Sequence, residues 1–86
     1  MGRNENLIRK ILQIIEERPY CSSSAISIKG FSKDCIFIQL SLICREHLIA
    51  AEPAIDENGI MNDLFNIRLT LSGLNYLRSI SYFQTI

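Results

Sequence analysis

The stretch Gly30–Ala51, GFSKDCIFIQLSLICREHLIAA, constrains the fold more than any other part of the chain. Ser32 is a good helix N-cap, because its hydroxyl can accept from one of the amides that open a helix without an intrahelical partner. Behind it Ile36, Leu40 and Ile43 recur at i, i+4 and i+7, one stripe of a helix running to about Glu46. Leu48, Ile49, Ala50 and Ala51 then read as an extended, half-buried segment. A capped helix therefore has to deliver the chain straight into a strand.

The flanks supply the pieces around it. A first helix is expected from a cap at Asn4 or Asn6 to Arg18, because Pro19 disfavours a helical residue before it. Leu7, Ile8, Ile11, Leu12, Ile14 and Ile15 give that helix a wide apolar face, suited to a small core or to a membrane surface. Tyr20–Ser24 reads as a polar connector. Ala25–Lys29 alternates, with Ile26 and Ile28 on one side, and predicts a short strand ended by Gly30. This stretch is too short for the full second helix of a trihelical motif.

Beyond the central helix, Leu48–Ile55 is strand-like, with Pro53 tolerable at an edge or a bulge. Asp56-Glu57-Asn58-Gly59 is turn chemistry. Leu64–Leu69 alternates again, with Leu64, Asn66 and Arg68 on one face and Phe65, Ile67 and Leu69 on the other. Thr70 or Ser72 can cap a last helix whose apolar positions are Leu74, Tyr76, Leu77 and Ile80. The tail 81–86, with Tyr82, Phe83 and Ile86, either folds back on the domain or forms an adhesive end.

A helix that feeds a two-stranded hairpin is the recognition-helix-plus-wing entry of a winged helix-turn-helix. The expected architecture is thus α+β: three helices, a short strand and a two-stranded wing hairpin. The 86 residues suit one domain, with its core at about 5–80. With 48% hydrophobic and 21% charged residues, the chain should fold rather than stay disordered. No apolar run approaches the roughly 18 residues needed to cross a bilayer. The N-terminus lacks a secretory h-region, and Asn6 stands where a myristoylation signal wants Ser or Thr, so a cytoplasmic protein is expected. Cys21, Cys35 and Cys44 are odd in number and share no C-x-x-C spacing, which points to reduced thiols. His47 is the only histidine, so neither a metal nor any other cofactor is expected.

Four segments together carry a family resemblance. They are Asn6-Leu7-Ile8-Arg9-Lys10-Ile11-Leu12, Ile26-Ser27-Ile28-Lys29-Gly30-Phe31-Ser32, Leu48-Ile49-Ala50-Ala51, and Arg68-Leu69-Thr70-Leu71-Ser72-Gly73-Leu74-Asn75-Tyr76-Leu77. The chain resembles, over residues 6 to about 80, a small uncharacterised winged-helix family of bacterial genomes, phages and prophages. The Arg-Leu-Thr-x-x-Gly-x-x-aromatic-Leu element is its most specific motif. The resemblance implies a fold and a mobile-element origin, and no activity that could be carried onto residues. Such proteins usually have Gly where this one has His47, a place where a left-handed helix cap would cost a His about 1 kcal/mol.

Winged helices most often bind DNA, which demands basic groups along the phosphates and polar donors on the outer face of the central helix. That face carries Asp34, Ile38, Ser41 and Arg45, with Phe37 and Leu42 at its margins. Between Arg45 and Arg68 there is no Lys or Arg, while Glu46, Glu52, Asp56, Glu57 and Asp63 are acidic. Nine bases balance nine acids, without the basic excess of a DNA-binding domain.

An apolar helix face beside an acidic hairpin suits a protein partner, with Phe37, Ile38 and Leu42 as anchors and Asp34, Ser41, Arg45, Asp56, Glu57 and Asp63 around them. The expected function is a non-catalytic protein-binding module of phage or prophage type. An adaptor fits this, as does an inhibitor of host machinery such as a defence nuclease, with Asp56, Glu57 and Asp63 standing in for phosphates on a basic, DNA-handling partner. The inhibitor role rests on the implied origin and on charge. A dimeric DNA-binding regulator with Lys33, Ser41 and Arg45 at the groove is the alternative, and a homodimer sealed by the apolar face is a third. Ser22, Ser23 and Ser24 lack a base and Glu46 and His47 point apart, so no enzyme activity is expected.

Overall fold

A computed structural model describes the backbone of residues 2–85 and the side chains of residues 2–79. The elements in order are α1 (Glu5–Glu17), a one-turn 3-10 helix (Ser23–Ala25), α2 (Lys33–Arg45), β1 (Ile49–Ile55), β2 (Met61–Leu69) and α3 (Leu71–Thr85). Over the described residues the protein is α+β, with three α-helices and a two-stranded antiparallel hairpin.

Asn4 caps α1 by accepting from the Leu7 amide, and Pro19 follows close behind the helix C-cap at Arg18. Leu7, Ile8, Ile11, Leu12 and Ile15 are almost wholly buried, so the wide apolar face is a core face and not a membrane one. Burying each such side chain is worth roughly 1.5–3 kcal/mol. Ile36, Leu40 and Ile43 of α2, Ile26, Leu48 and Ile49, Leu64 and Ile67 of β2, and Leu77 of α3 complete one hydrophobic cluster. The hydroxyl of Ser32 caps α2, accepting from the Cys35 amide.

His47 adopts φ 64°, the left-handed conformation that the missing glycine would favour. The Leu48 amide donates back to the Ile43 carbonyl at 2.9 Å and the His47 amide to the Cys44 carbonyl at 3.0 Å. That pair of bonds is a Schellman cap, and buried Leu48 and Ile43 supply its usual apolar contact. It turns the chain at once from α2 into β1.

Three local expectations are corrected. No strand forms over Ala25–Lys29. The Lys33 ammonium donates to the Ser24 carbonyl (2.8 Å), the Ile26 carbonyl (3.0 Å) and Ser27 Oγ (3.0 Å), so a side chain holds this segment where a ladder was expected. The alternation survives as buried Ile26 and half-buried Ile28. The bridging residue lies earlier, at Cys21, which pairs with Ile67.

The simple alternation of β2 also fails, because Leu64 and Ile67 are both buried and Phe65 is exposed. Asn66, at φ 53°, lets Asn66 and Ile67 together oppose Ala51, and this bulge switches the faces. Finally, the helical backbone of α3 continues through most of the expected tail, to Thr85. Ile80, expected on the apolar face of this helix, and Tyr82, Phe83 and Ile86, on which the expectation for the tail turned, have side chains outside the described residues.

The Arg-Leu-Thr-x-x-Gly motif acquires a structural reason. Thr70 Oγ1 donates to the His47 carbonyl at 2.6 Å and accepts from the Gly73 amide at 3.0 Å, capping α3 and tying it to the end of α2. The Thr70 amide donates to the Leu48 carbonyl at 3.1 Å. Gly73 lies so close over that same carbonyl that a Cβ there would stand 1.8 Å from its oxygen.

Candidate partner-binding surface

The outer side of α2 and the hairpin meet along one open groove of ≈ 460 Å³. Lys33, Asp34 and Phe37 line it from the helix, Met61, Asn62 and Asp63 from β2, and Ser23 and Ser24 from below. Ser23 fastens the floor of the groove to the β2 wall. Its hydroxyl donates to the Asp63 carboxylate and accepts from the Leu64 amide at 3.2 Å, which satisfies both groups as Ser23 is buried.

The residues expected at the site divide accordingly. Asp34 and Phe37 come together with Asp63 in the groove, Phe37 half-buried and Asp34 exposed. Ile38 keeps 39% of its surface exposed, the only large apolar side chain of α2 to do so among the described residues. Ser41 and Leu42 are half-buried, and Arg45 is exposed in the last turn.

Glu57 is exposed at the hairpin tip. Asp56 beside it is half-buried and works within the turn, its Oδ1 accepting from the amides of Asn58 and Ile60 at 2.9 Å each. Lys33, expected at the DNA groove in the alternative reading, spends its three donors on residues 24–27.

The electrostatics of this side are weakly acidic. Glu46 shares Arg3 with Glu5, and Glu52 pairs with Arg68 at 3.3 Å. Among the described residues the groove itself holds two carboxylates, Asp34 and Asp63, against the one ammonium of Lys33.

Several residues that matter here were not singled out in the sequence. Ile55, Ile60, Met61 and Phe65 are exposed, so the hairpin is greasy as well as acidic. The signal for them was the apolar pair Ile55 and Ile60 on either side of the turn. Gln39 lies on the buried side of α2 with none of its surface exposed. Its amide accepts from the Asn4 amide and donates to the Gly2 carbonyl, each at 3.0 Å, and so pins the N-terminal arm.

Arg3, on that arm, donates to Glu5, Glu46 and the Tyr76 hydroxyl (2.7 Å), and its guanidinium lies 5.5 Å from the Tyr76 ring centroid. The hydroxyl of Tyr76 in turn donates to Glu5. The Tyr76 hydroxyl, helped by Arg3, holds the Glu5 carboxyl below its ordinary range. Burial, together with the bond to Glu5, pushes the Tyr76 phenol up. No sequence period connects residues this far apart.

The three thiols are free, and burial raises that of Cys21. Among the described residues no group of three or more His, Cys, Asp or Glu could hold a metal ion, and no helix is long and apolar enough to cross a membrane.

No curated protein and no solved structure matches the chain. One family model does, described as "Hypothetical protein (DUF2513)", and it covers residues 2–82. The match takes in α1, α2, the hairpin and the Arg-Leu-Thr-x-x-Gly segment. The chain belongs to this uncharacterised family, DUF2513.

Proposed function

We propose that the chain is a winged-helix module that binds a protein partner, without catalysis, through the outer side of α2 and the β1–β2 hairpin. The order of elements supports the winged-helix reading, since the 3-10 turn Ser23–Ala25 stands where a second helix would and the hairpin follows α2 directly. The observation that carries the partner reading is the exposure of Ile38 on the helix beside a groove walled by Phe37 and Met61 and rimmed by Asp34 and Asp63. Apolar anchors framed by like charge suit a basic protein surface and oppose a phosphate backbone. A phage or prophage setting, and with it an adaptor or inhibitory role toward host machinery such as a defence nuclease, rests on the sequence resemblance alone.

The test is affinity capture with purified protein, comparing the wild type with Ile38→Asp. Ile38 is already partly in water, so the variant should keep its fold by circular dichroism and lose the partner. Undiminished capture by the folded variant would remove α2 from the interface. Arg45, exposed in the last turn of α2, favours a second reading as a DNA-binding regulator, dimeric, with Ser41 beside it. It predicts salt-dependent retention on duplex DNA that Arg45→Ala weakens; no binding at about 50 mM salt disposes of it.

A further inference from the structure

A second surface lies at the other end of the hairpin, away from the α2 groove. The end of α1, the end of β2 and the start of α3 enclose an open groove of ≈ 770 Å³. Tyr20 and Leu71 stand in it with 66% and 75% of their surfaces exposed, beside Leu74, Arg68 and Arg78, with Glu16 as its one acid among the described residues. Tyr20 is held at φ 65°, a conformation that costs a bulky residue and that glycine would adopt freely. Its amide donates to the Ile67 carbonyl at 2.7 Å, which explains the backbone and not the choice of an exposed aromatic. The Arg68 guanidinium, 5.9 Å from the ring centroid, braces that ring.

The chain also carries a segment of the complementary kind. The hairpin tip presents Ile55 and Ile60, each 61% exposed, around the acids Asp56 and Glu57. Tip and groove sit at opposite ends of one hairpin, separated by the length of β1, roughly 20 Å at strand rise. A tip therefore cannot reach the groove of its own chain.

We propose that the hairpin tip of one copy docks in the Tyr20–Leu71 groove of a second copy. The two isoleucines cover Tyr20, Leu71 and Leu74, and Glu57 faces Arg78, while Arg68 stays with Glu52 and Asp56 stays in its turn. An acidic-apolar tip meets an apolar groove that carries Arg78, and both exposed patches are covered by one contact. The contact is heterologous, joining different surfaces, and it does not involve Ile38. An interface of this size falls below about 1,200 Å², in the weak class, so half-association is expected between about 10 µM and 1 mM.

Sedimentation velocity of the full chain tests this over that range. The wild type should gain mass with concentration. Ile60→Lys spoils the tip and Leu71→Asp spoils the groove, and each alone should be monomeric. The second places an acid in the first turn of α3, where it suits the helix. Mixed together they should form a 1:1 dimer and nothing larger, because each brings the half the other lacks. Tyr20→Gly should weaken association at least about tenfold while its thermal midpoint does not fall, since the strained backbone is relieved. A wild type monomeric throughout overturns the proposal. So does a mixture that stays monomeric, or association that survives both single variants.

Discussion

Gly73→Ala puts the structural account of the Arg-Leu-Thr-x-x-Gly motif at risk with a single methyl. The added Cβ would lie 1.8 Å from the Leu48 carbonyl oxygen and 2.9 Å from its carbon. Non-bonded carbon and oxygen do not approach closer than about 3 Å, so α3 must lift from the α2–β1 junction by more than about 1 Å. Two hydrogen bonds span that junction, Thr70 N to the Leu48 carbonyl and Thr70 Oγ1 to the His47 carbonyl. Losing them costs about 2 kcal/mol, at about 1 kcal/mol each.

Leu77 and Leu48 are both nearly buried across the same junction, and loosening them adds roughly 2 kcal/mol. Against this, Ala is a better helix former than Gly by about 1 kcal/mol. The net expectation is about 3 kcal/mol of destabilisation, a large part of the roughly 4–13 kcal/mol that a chain of this length commands. Urea unfolding followed by far-ultraviolet circular dichroism should show the midpoint falling by about 3 M, at about 1 kcal/mol/M. Asn75→Ala, exposed on the same helix, should stay within about 0.5 kcal/mol of wild type. A Gly73→Ala midpoint within about 0.5 M of wild type would refute the close-approach argument.

Two further outcomes follow from the caps and the arm. His47→Gly removes a side chain from a left-handed residue and should raise stability by about 1 kcal/mol, seen as a rise of about 4–8 °C in the thermal midpoint; a fall would mean that the imidazole itself is needed. The Arg3–Glu5–Tyr76 cluster should shape the pH profile at both ends. The folded carboxyl of Glu5 titrates below its ordinary 4.5, so its contribution is present above that pH and is lost as pH falls through the depressed value. The folded phenol of Tyr76 titrates above its ordinary 10, so its contribution is present below pH 10 and is lost as pH rises through the raised value. Glu5→Gln should flatten the acid limb of a stability–pH curve and Tyr76→Phe the alkaline limb, and unchanged limbs would show that the cluster contributes nothing.

Local sequence was a sufficient guide wherever the physics is local. Asn4 and Ser32 are caps because each offers an oxygen to an orphan amide three residues ahead; Ser32 was legible outright, and Asn4 as one of two candidates with Asn6. The buried stripes Leu7–Ile15 and Ile36–Ile43 follow from helical spacing, and the Asp56–Gly59 turn from its own side chains. The outward position of Ile38 also came from the helix period, since it lies opposite the stripe that Ile36, Leu40 and Ile43 define.

What contacts across the chain decided was not legible. Lys33 replaced an expected strand with a three-bond clamp, because an ammonium on α2 reached carbonyls up to nine residues earlier. Asn66 switched the faces of β2 through one left-handed residue, which alternation cannot register. Gln39 entered the core because Gly2 and Asn4, more than thirty residues away, satisfy its amide.

By itself, then, the sequence determined the helices, their caps and the hairpin, since those depend on neighbours within about one turn. Only the tertiary structure decided which polar groups are spent on the fold and which remain for a partner. A carboxylate or an ammonium is available or not according to what lies across from it, and no local pattern records that.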